Sequence, residues 1–115
     1  MHFSIKAIKA ANKAAGQHFF DRSTMSFFQS RVCRKVTGHY FVTSERCRFD
    51  QSAKRTYTLR QVMDNGWIST VGDYGAYSTS RAAHAEAARL WDQDCLEIRQ
   101  DEEADAGRWE AYTAA

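Results

Sequence analysis

The sequence predicts an α+β domain: a three- or four-stranded antiparallel sheet, an N-terminal helix, a short aromatic helix and a long C-terminal helix packed on the sheet. Three observations carry this. Asp64-Asn65-Gly66 sits between two β-rich runs and marks a hairpin. Ser4 to Ala15 and Ser80 onward carry apolar positions at helical spacing behind capping residues. The 115 residues, 43% hydrophobic and 13% aromatic, fit one domain with one buried core.

The first helix starts at a Ser4 cap and ends before Gly16, which suits the left-handed C′ position. Ile5, Ile8, Ala11 and Ala15 form its apolar stripe, and Lys6, Lys9 and Lys13 lie opposite. The lysine stripe reads as the solvated face of a core-packing helix, with phosphate contact as the functional alternative. Gln17 to Gln29 holds Phe19, Phe20, Phe27 and Phe28 around a short helix capped by Asp21 or Ser23. Phenylalanine has no polar handle, so these rings are expected in the core. Aromatics interleaved with arginine also make a single-strand stacking platform.

Arg31 to Val36 reads as a short edge strand blunted by its own charge, Thr37-Gly38 as a turn, and His39 to Arg46 as a strand. The hairpin follows. With Asn65-Gly66 as a two-residue type I′ loop, Asp64 faces Trp67, Met63 faces Ile68, Leu59 faces Gly72 and Tyr57 faces Tyr74. Val62 then pairs with Ser69, Arg60 with Val71 and Thr58 with Asp73, so one face is apolar and the other mixed. Ser78 or Thr79 caps the last helix, whose stripe is Ala83, Ala87, Leu90, Trp91 and Ile98. It is expected to run to about Glu103. The acids Asp101 to Asp105 oppose the macrodipole there and predict fraying, and Gly107 ends the pattern before a short aromatic tail.

Composition narrows the function. No apolar run approaches the roughly 18 residues that span a membrane. Met1 to Gly16 alternates Ile, Ala and Lys instead of forming a signal-peptide block, and the three widely spaced cysteines fit reduced thiols, so a cytoplasmic protein is expected. Charge is split. Residues 1–60 carry twelve Lys/Arg against three Asp/Glu, and residues 61–115 carry four against eleven. Such a split points to a nucleic-acid or other polyanionic partner, or to two faces that neutralise each other.

Catalytic signatures are weak. The histidines and cysteines lack metal-site spacing, and no metal or cofactor is expected. Cys33 lies between Arg31 and Arg34-Lys35, and Cys47 between Arg46 and Arg48, positions where neighbouring cations favour a thiolate. His39 is the candidate base for either. Alternation along a strand would instead turn one of these thiols into the core. Ser78-Thr79-Ser80 resembles the Ser-Thr-Ser element of ADP-ribosyltransferases but caps a helix and lacks a following Glu-x-Glu. Gly72-Asp-Tyr-Gly lacks the helix of a phosphate loop. The balance favours a non-enzymatic protein. Its candidate partner- or nucleic-acid-binding residues are Lys6, Lys9, Lys13, Arg31, Arg34, Lys35, Arg46, Arg48, Lys54 and Arg55. The acidic surface from Asp92 to Asp105 is the alternative contact face.

His18-Phe-Phe-Asp-Arg-Ser-Thr-Met-Ser-Phe-Phe, Tyr40-Phe-Val-Thr-Ser-Glu, Tyr57-Thr-Leu-Arg, Gly66 to Tyr77 and the Ser78-Thr79 opening of an Ala-rich helix follow one another in order. Together they resemble a family of small uncharacterised proteins of bacteriophages, plasmids and other mobile elements, over roughly residues 10–90. The resemblance implies an accessory gene in a bacterial host and brings no reaction or site residues. Small proteins of that habitat are often inhibitors of host defence, anti-CRISPR proteins included, which act by binding. The leading expectation is therefore an inhibitor that occludes a bacterial defence protein or ribonucleoprotein, such as a CRISPR effector. The alternative is a direct RNA/DNA-binding accessory protein using the basic half. The edge at Arg31 to Val36 offers pairing to a second copy, which its charges oppose.

Overall fold

A computed structural model describes residues 4–27, 29–46, 50 and 52–114, with side chains described as far as Gln100. Two short helices, α1 (Ile5–Ala15) and α2 (Arg22–Phe27), precede the strands β1 (Arg31–Thr37), β2 (Tyr40–Glu45), β3 (Thr56–Val62) and β4 (Ile68–Thr70). Helix α3 (Ser80–Ala114) closes the chain. The strands form one antiparallel sheet in the order β1-β2-β3-β4. The expected α+β architecture is what the chain adopts.

Both faces of this sheet are covered. On one face Tyr40, Val42 and Leu59 pack with Ala83 and Ala87 of α3, backed by Leu90 and Trp91. The alanines allow the helix to approach the sheet closely. On the other face Phe41, Val62 and Ile68 pack with Ile8 of α1, and Phe19 and Phe20 close over them. Burial on both faces explains why every residue of β2 is buried, the pattern of a strand flanked by two layers rather than one.

The helix ends follow their local chemistry. Ser4 Oγ accepts from the Ala7 N–H at 3.2 Å, and Gly16 adopts φ +82° with its N–H on the Lys13 carbonyl. Thr79 Oγ1 accepts from Ala82 N and so caps α3. Helix α3 continues through Gly107 to Ala114, beyond the expected end near Glu103. A single glycine costs only about 1 kcal/mol in a helix, which its helix-forming neighbours outweigh.

The β3–β4 turn differs from the two-residue loop. Gly66 N donates to Met63 O and Met63 N to Trp67 O, and of the three loop residues only Gly66 has positive φ. Asp64-Asn65-Gly66 is thus a type I turn followed by a left-handed glycine. The register moves by one residue: Val62 pairs with Ile68, Gln61 with Ser69 and Arg60 with Thr70. The slip unites Val62 and Ile68 under α1 and aligns Leu59 with Val71 under α3, so each face receives an apolar pair. Met63 and Trp67 are left exposed. The turn is held by Asn12, buried in α1. Its Nδ2 donates to Gly66 O at 3.0 Å and to Gln17 Oε1 at 2.6 Å, and its Oδ1 accepts from Phe19 N at 2.8 Å.

Candidate functional site

Helix α2 is set by two left-handed residues that flank it, His18 (φ +59°) and Gln29 (φ +48°). They turn the chain out of α1 and then into β1, so that α2 stands over the far end of the sheet, beyond the apolar cluster under α1. There the sheet face becomes polar. Thr43, Glu45, Thr58 and Arg60 meet in one hydrogen-bonded group. Glu45 is 2% exposed. Its Oε1 accepts from Thr43 Oγ1 and from Arg60 Nη2, and its Oε2 accepts from Thr58 Oγ1 at 2.9 Å. Arg60 also donates from Nε to Thr43 Oγ1 and from Nη1 to Thr70 Oγ1. Its guanidinium carbon lies 5.3 Å from the Phe19 ring centroid and 5.8 Å from that of Tyr74, within cation–π range of both.

A cavity of about 530 Å³ opens over Arg60. Phe19, Phe27 and Tyr74 supply rings to its wall, and Ser23, Thr24 and Ser30 supply hydroxyls. Phe27 is 51% and Tyr74 49% exposed. Phe27 is thus a wall of this cavity rather than the core residue expected, because α2 is one and a half turns long and buries none of its residues. Phe19 and Phe20 do pack on the core, while Phe28 lies outside the described residues.

On the other side of α2 a second cavity, of about 390 Å³, is bounded by Arg22, Gln29 and Arg31 and shares Met25 and Ser30 with the first. Behind Gln29 two further arginines converge. Arg46 Nη2 donates to Gln29 Oε1 at 2.8 Å, and Arg55 Nη2 donates to the Gln29 carbonyl at 2.6 Å. Arg55 also holds Ser44 through its side-chain and backbone oxygens. Burial holds the Arg55 guanidinium below the usual arginine range, and the cations of Arg31 and Arg46 push the same way. The Nε–H of Arg46 is buried with no hydrogen-bond partner among the described residues.

The nine candidate basic residues that are described therefore do not form one surface. Arg31, Arg46 and Arg55 are brought together at the α2 end. Lys6, Lys9 and Lys13 are exposed along α1, with Lys9 Nζ 5.8 Å from the Phe20 ring centroid. Arg34, Lys35 and Lys54 are exposed elsewhere, and Arg48 lies outside the described residues. Arg60 and Tyr74 join the site although the sequence pattern did not single them out as binding residues, whereas Phe27 and Arg22 belong to the run read as core with base stacking as the alternative. The one available signal was the run of aromatics interleaved with Arg22.

Among the described residues no thiol forms the arrangement that Cys–His chemistry needs. Cys33 packs against the α3-side core, where burial and then the nearby Glu45 push its thiol up, opposite to the shift expected from its basic neighbours. His39 is committed to Asp94, whose Oδ2 it meets at 2.9 Å and which also accepts from Tyr40 at 2.5 Å. Cys47 lies outside the described residues. Among the described residues no group of three or more His, Cys, Asp or Glu is placed to hold a metal ion, and no helix is long and apolar enough to cross a membrane.

A small α+β domain with a polar, cation-rich end and two adjoining cavities is the class these features define. The chain belongs to the family of unknown function DUF7447, whose model matches residues 4–88. That span holds the whole sheet, both short helices and the sheet-packed start of α3. No curated protein and no solved structure matches the chain.

Proposed function

We propose that this protein acts by binding rather than by catalysis, and that it occludes a nucleoprotein complex of a bacterial defence system, of which a CRISPR effector is one kind. The observation that carries the reading is the placement of charge. Arg22 and Arg31 line one cavity wall with Gln29, and Arg46 and Arg55 hydrogen-bond to that glutamine from behind, while α3 carries the acids Asp92, Asp94 and Glu97. A local cluster of cations favours association with phosphate-rich partners. The most buried charges, Glu45 and Arg60, neutralise each other, and the raised Cys33 thiol is poorly suited to attack. Both favour binding. The resemblance of the ordered motifs to mobile-element proteins supplies the bacterial-host setting.

The test is a pull-down from bacterial lysate with tagged protein, with and without nuclease, joined to a phage- and plasmid-targeting assay across a panel of defence systems. A protein partner that survives nuclease, and relief of targeting that Arg31→Glu with Arg34→Glu abolishes, are expected. No effect on any system would overturn the reading. Enrichment that vanishes with nuclease would move the target to the nucleic acid itself, the direct RNA/DNA-binding alternative.

A further inference from the structure

Helix α2 lines two unlike cavities that adjoin at Met25 and Ser30. The first offers two half-exposed rings, Phe27 and Tyr74, beside hydroxyls and the edge of the Arg60 guanidinium. Its volume of about 530 Å³ falls in the usual range for small-ligand sites. The second offers Arg22 and Arg31 with the amide of Gln29, and behind that amide stand Arg46 and Arg55. Glu45, the one acid shown acting on Arg55, already pairs with Arg60. Four guanidinium groups thus gather at one end, Arg22 and Arg31 exposed on the cavity wall and Arg46 and Arg55 behind Gln29, and the buried Nε–H of Arg46 lacks an acceptor among the described residues.

A nucleotide has the same division: a flat ring with a hydrogen-bonding edge, joined to a phosphate. We propose that the two cavities are one binding groove for single-stranded nucleic acid. An unstacked base seats against the rings of Phe27 and Tyr74 with its polar edge toward Arg60, Ser23 and Thr24, and a phosphate seats between Arg22 and Arg31. A single strand is specified because duplex bases are already stacked and do not offer their faces to side chains. The proposal rests on the reading that the target is a nucleoprotein and adds which part of it is held.

Fluorescence anisotropy of the full chain tests it, with labelled oligo(dT) and oligo(U) probes of about ten nucleotides, within the span of known single-strand sites, and a duplex of equal length. The single strands are expected to bind tighter than the duplex. Tyr74→Ala and Phe27→Ala are each expected to weaken binding about tenfold with little change in salt dependence. Arg22→Gln and Arg31→Gln are each expected to reduce the slope of log affinity against log salt by about one. Competition by inorganic phosphate should be weak, since it fills only the basic half. Circular dichroism checks each fold, and Tyr74→Leu, which keeps apolar bulk and removes the ring, is read if the alanine variant does not fold. Equal affinity for duplex, unchanged affinity in the ring variants or no oligonucleotide binding at low salt would each overturn the proposal. Should that occur while a nuclease-resistant protein partner is still captured, only this inference falls and the occlusion reading stands.

Discussion

Removing Glu45 is the severest test of the packing at the α2 end. The carboxylate is 2% exposed and the Arg60 side chain it pairs with is 11% exposed. Glu45→Met leaves a nearly buried guanidinium without its counter-charge and takes the acceptor from the Thr43 and Thr58 hydroxyls. Breaking one half of such a pair costs about 3–5 kcal/mol. The loss is a large part of the roughly 5–15 kcal/mol that holds a domain of this kind together. With a urea slope of about 2 kcal/mol/M, the unfolding midpoint should fall by about 1.5–2.5 M. Arg60→Met should cost a similar amount, because it strands the anion instead. The double variant Glu45→Met with Arg60→Met should recover most of the loss, since a well-packed apolar pair commonly replaces a buried ion pair at little cost. Equilibrium urea unfolding of the four proteins reads the coupling directly. A single-variant cost below about 1 kcal/mol, or a double variant equal to the sum of the singles, would refute the argument that the pair is one buried unit.

Three more expectations concern the frame around the site. Asn12→Ala deletes three hydrogen bonds and strands the Gly66 carbonyl and the Phe19 N–H. Chemical denaturation should show a loss of about 2–3 kcal/mol, and Asn12→Ala unfolding at the wild-type midpoint would contradict it. At Gly38 an added Cβ would lie 2.2 Å from the Trp91 ring, on a backbone at φ +59°. Gly38→Ala should cost about 2–4 kcal/mol in all; in a Trp91→Ala background only the backbone part, about 1 kcal/mol, should remain. Equal costs in both backgrounds would show that the ring contact does not matter. His84 is held below its usual value by burial and then by Lys35. Its neutral form is favoured by folding, so its contribution is present above the unfolded value near 6.5 and is lost as pH falls below it. Thermal melts from pH 7 to pH 5 should therefore drop less steeply for His84→Gln than for wild type, and parallel curves would count against this.

What the sequence made legible was local. The Ser4 and Gly16 ends of α1, the Thr79 cap and the existence of the Asn65-Gly66 hairpin all depend on residues within a few positions of one another. What it hid depends on partners far along the chain. The hairpin register is decided by the need of both sheet faces for apolar pairs, and that need arises only once α1 covers the second face. Asn12 and Glu45 have the composition of surface residues. Asn12 is buried by a carbonyl 54 positions away and Glu45 by an arginine 15 positions away. Phe27 was misplaced for the converse reason. A short aromatic helix looks like core filling, but the turns at His18 and Gln29 lift it off the sheet and leave its ring at the surface.

The basic residues themselves separate by role once their neighbours are known. Edge strand β1 needs protection against pairing with another chain. It has two devices, the exposed cations Arg31, Arg34 and Lys35 and an irregularity between Val32 and Val36. Charge on this strand is therefore no proof of a ligand. Lys35 acts on His84, on the α3 side, and the α1 lysines stand on a helix whose apolar face is spent on the core, so both are adequately explained as edge protection and solvated surface. Arg31 differs, because it shares a cavity wall with Arg22 and Gln29 and acts on Arg55. Protection of an edge requires cations to be spread along it, and it gives no reason to gather guanidinium groups from α2, β1 and the segments on either side of the β2–β3 connection around one glutamine. That convergence, rather than the overall excess of positive charge in the first half of the chain, is the observation on which the proposed binding at this end rests.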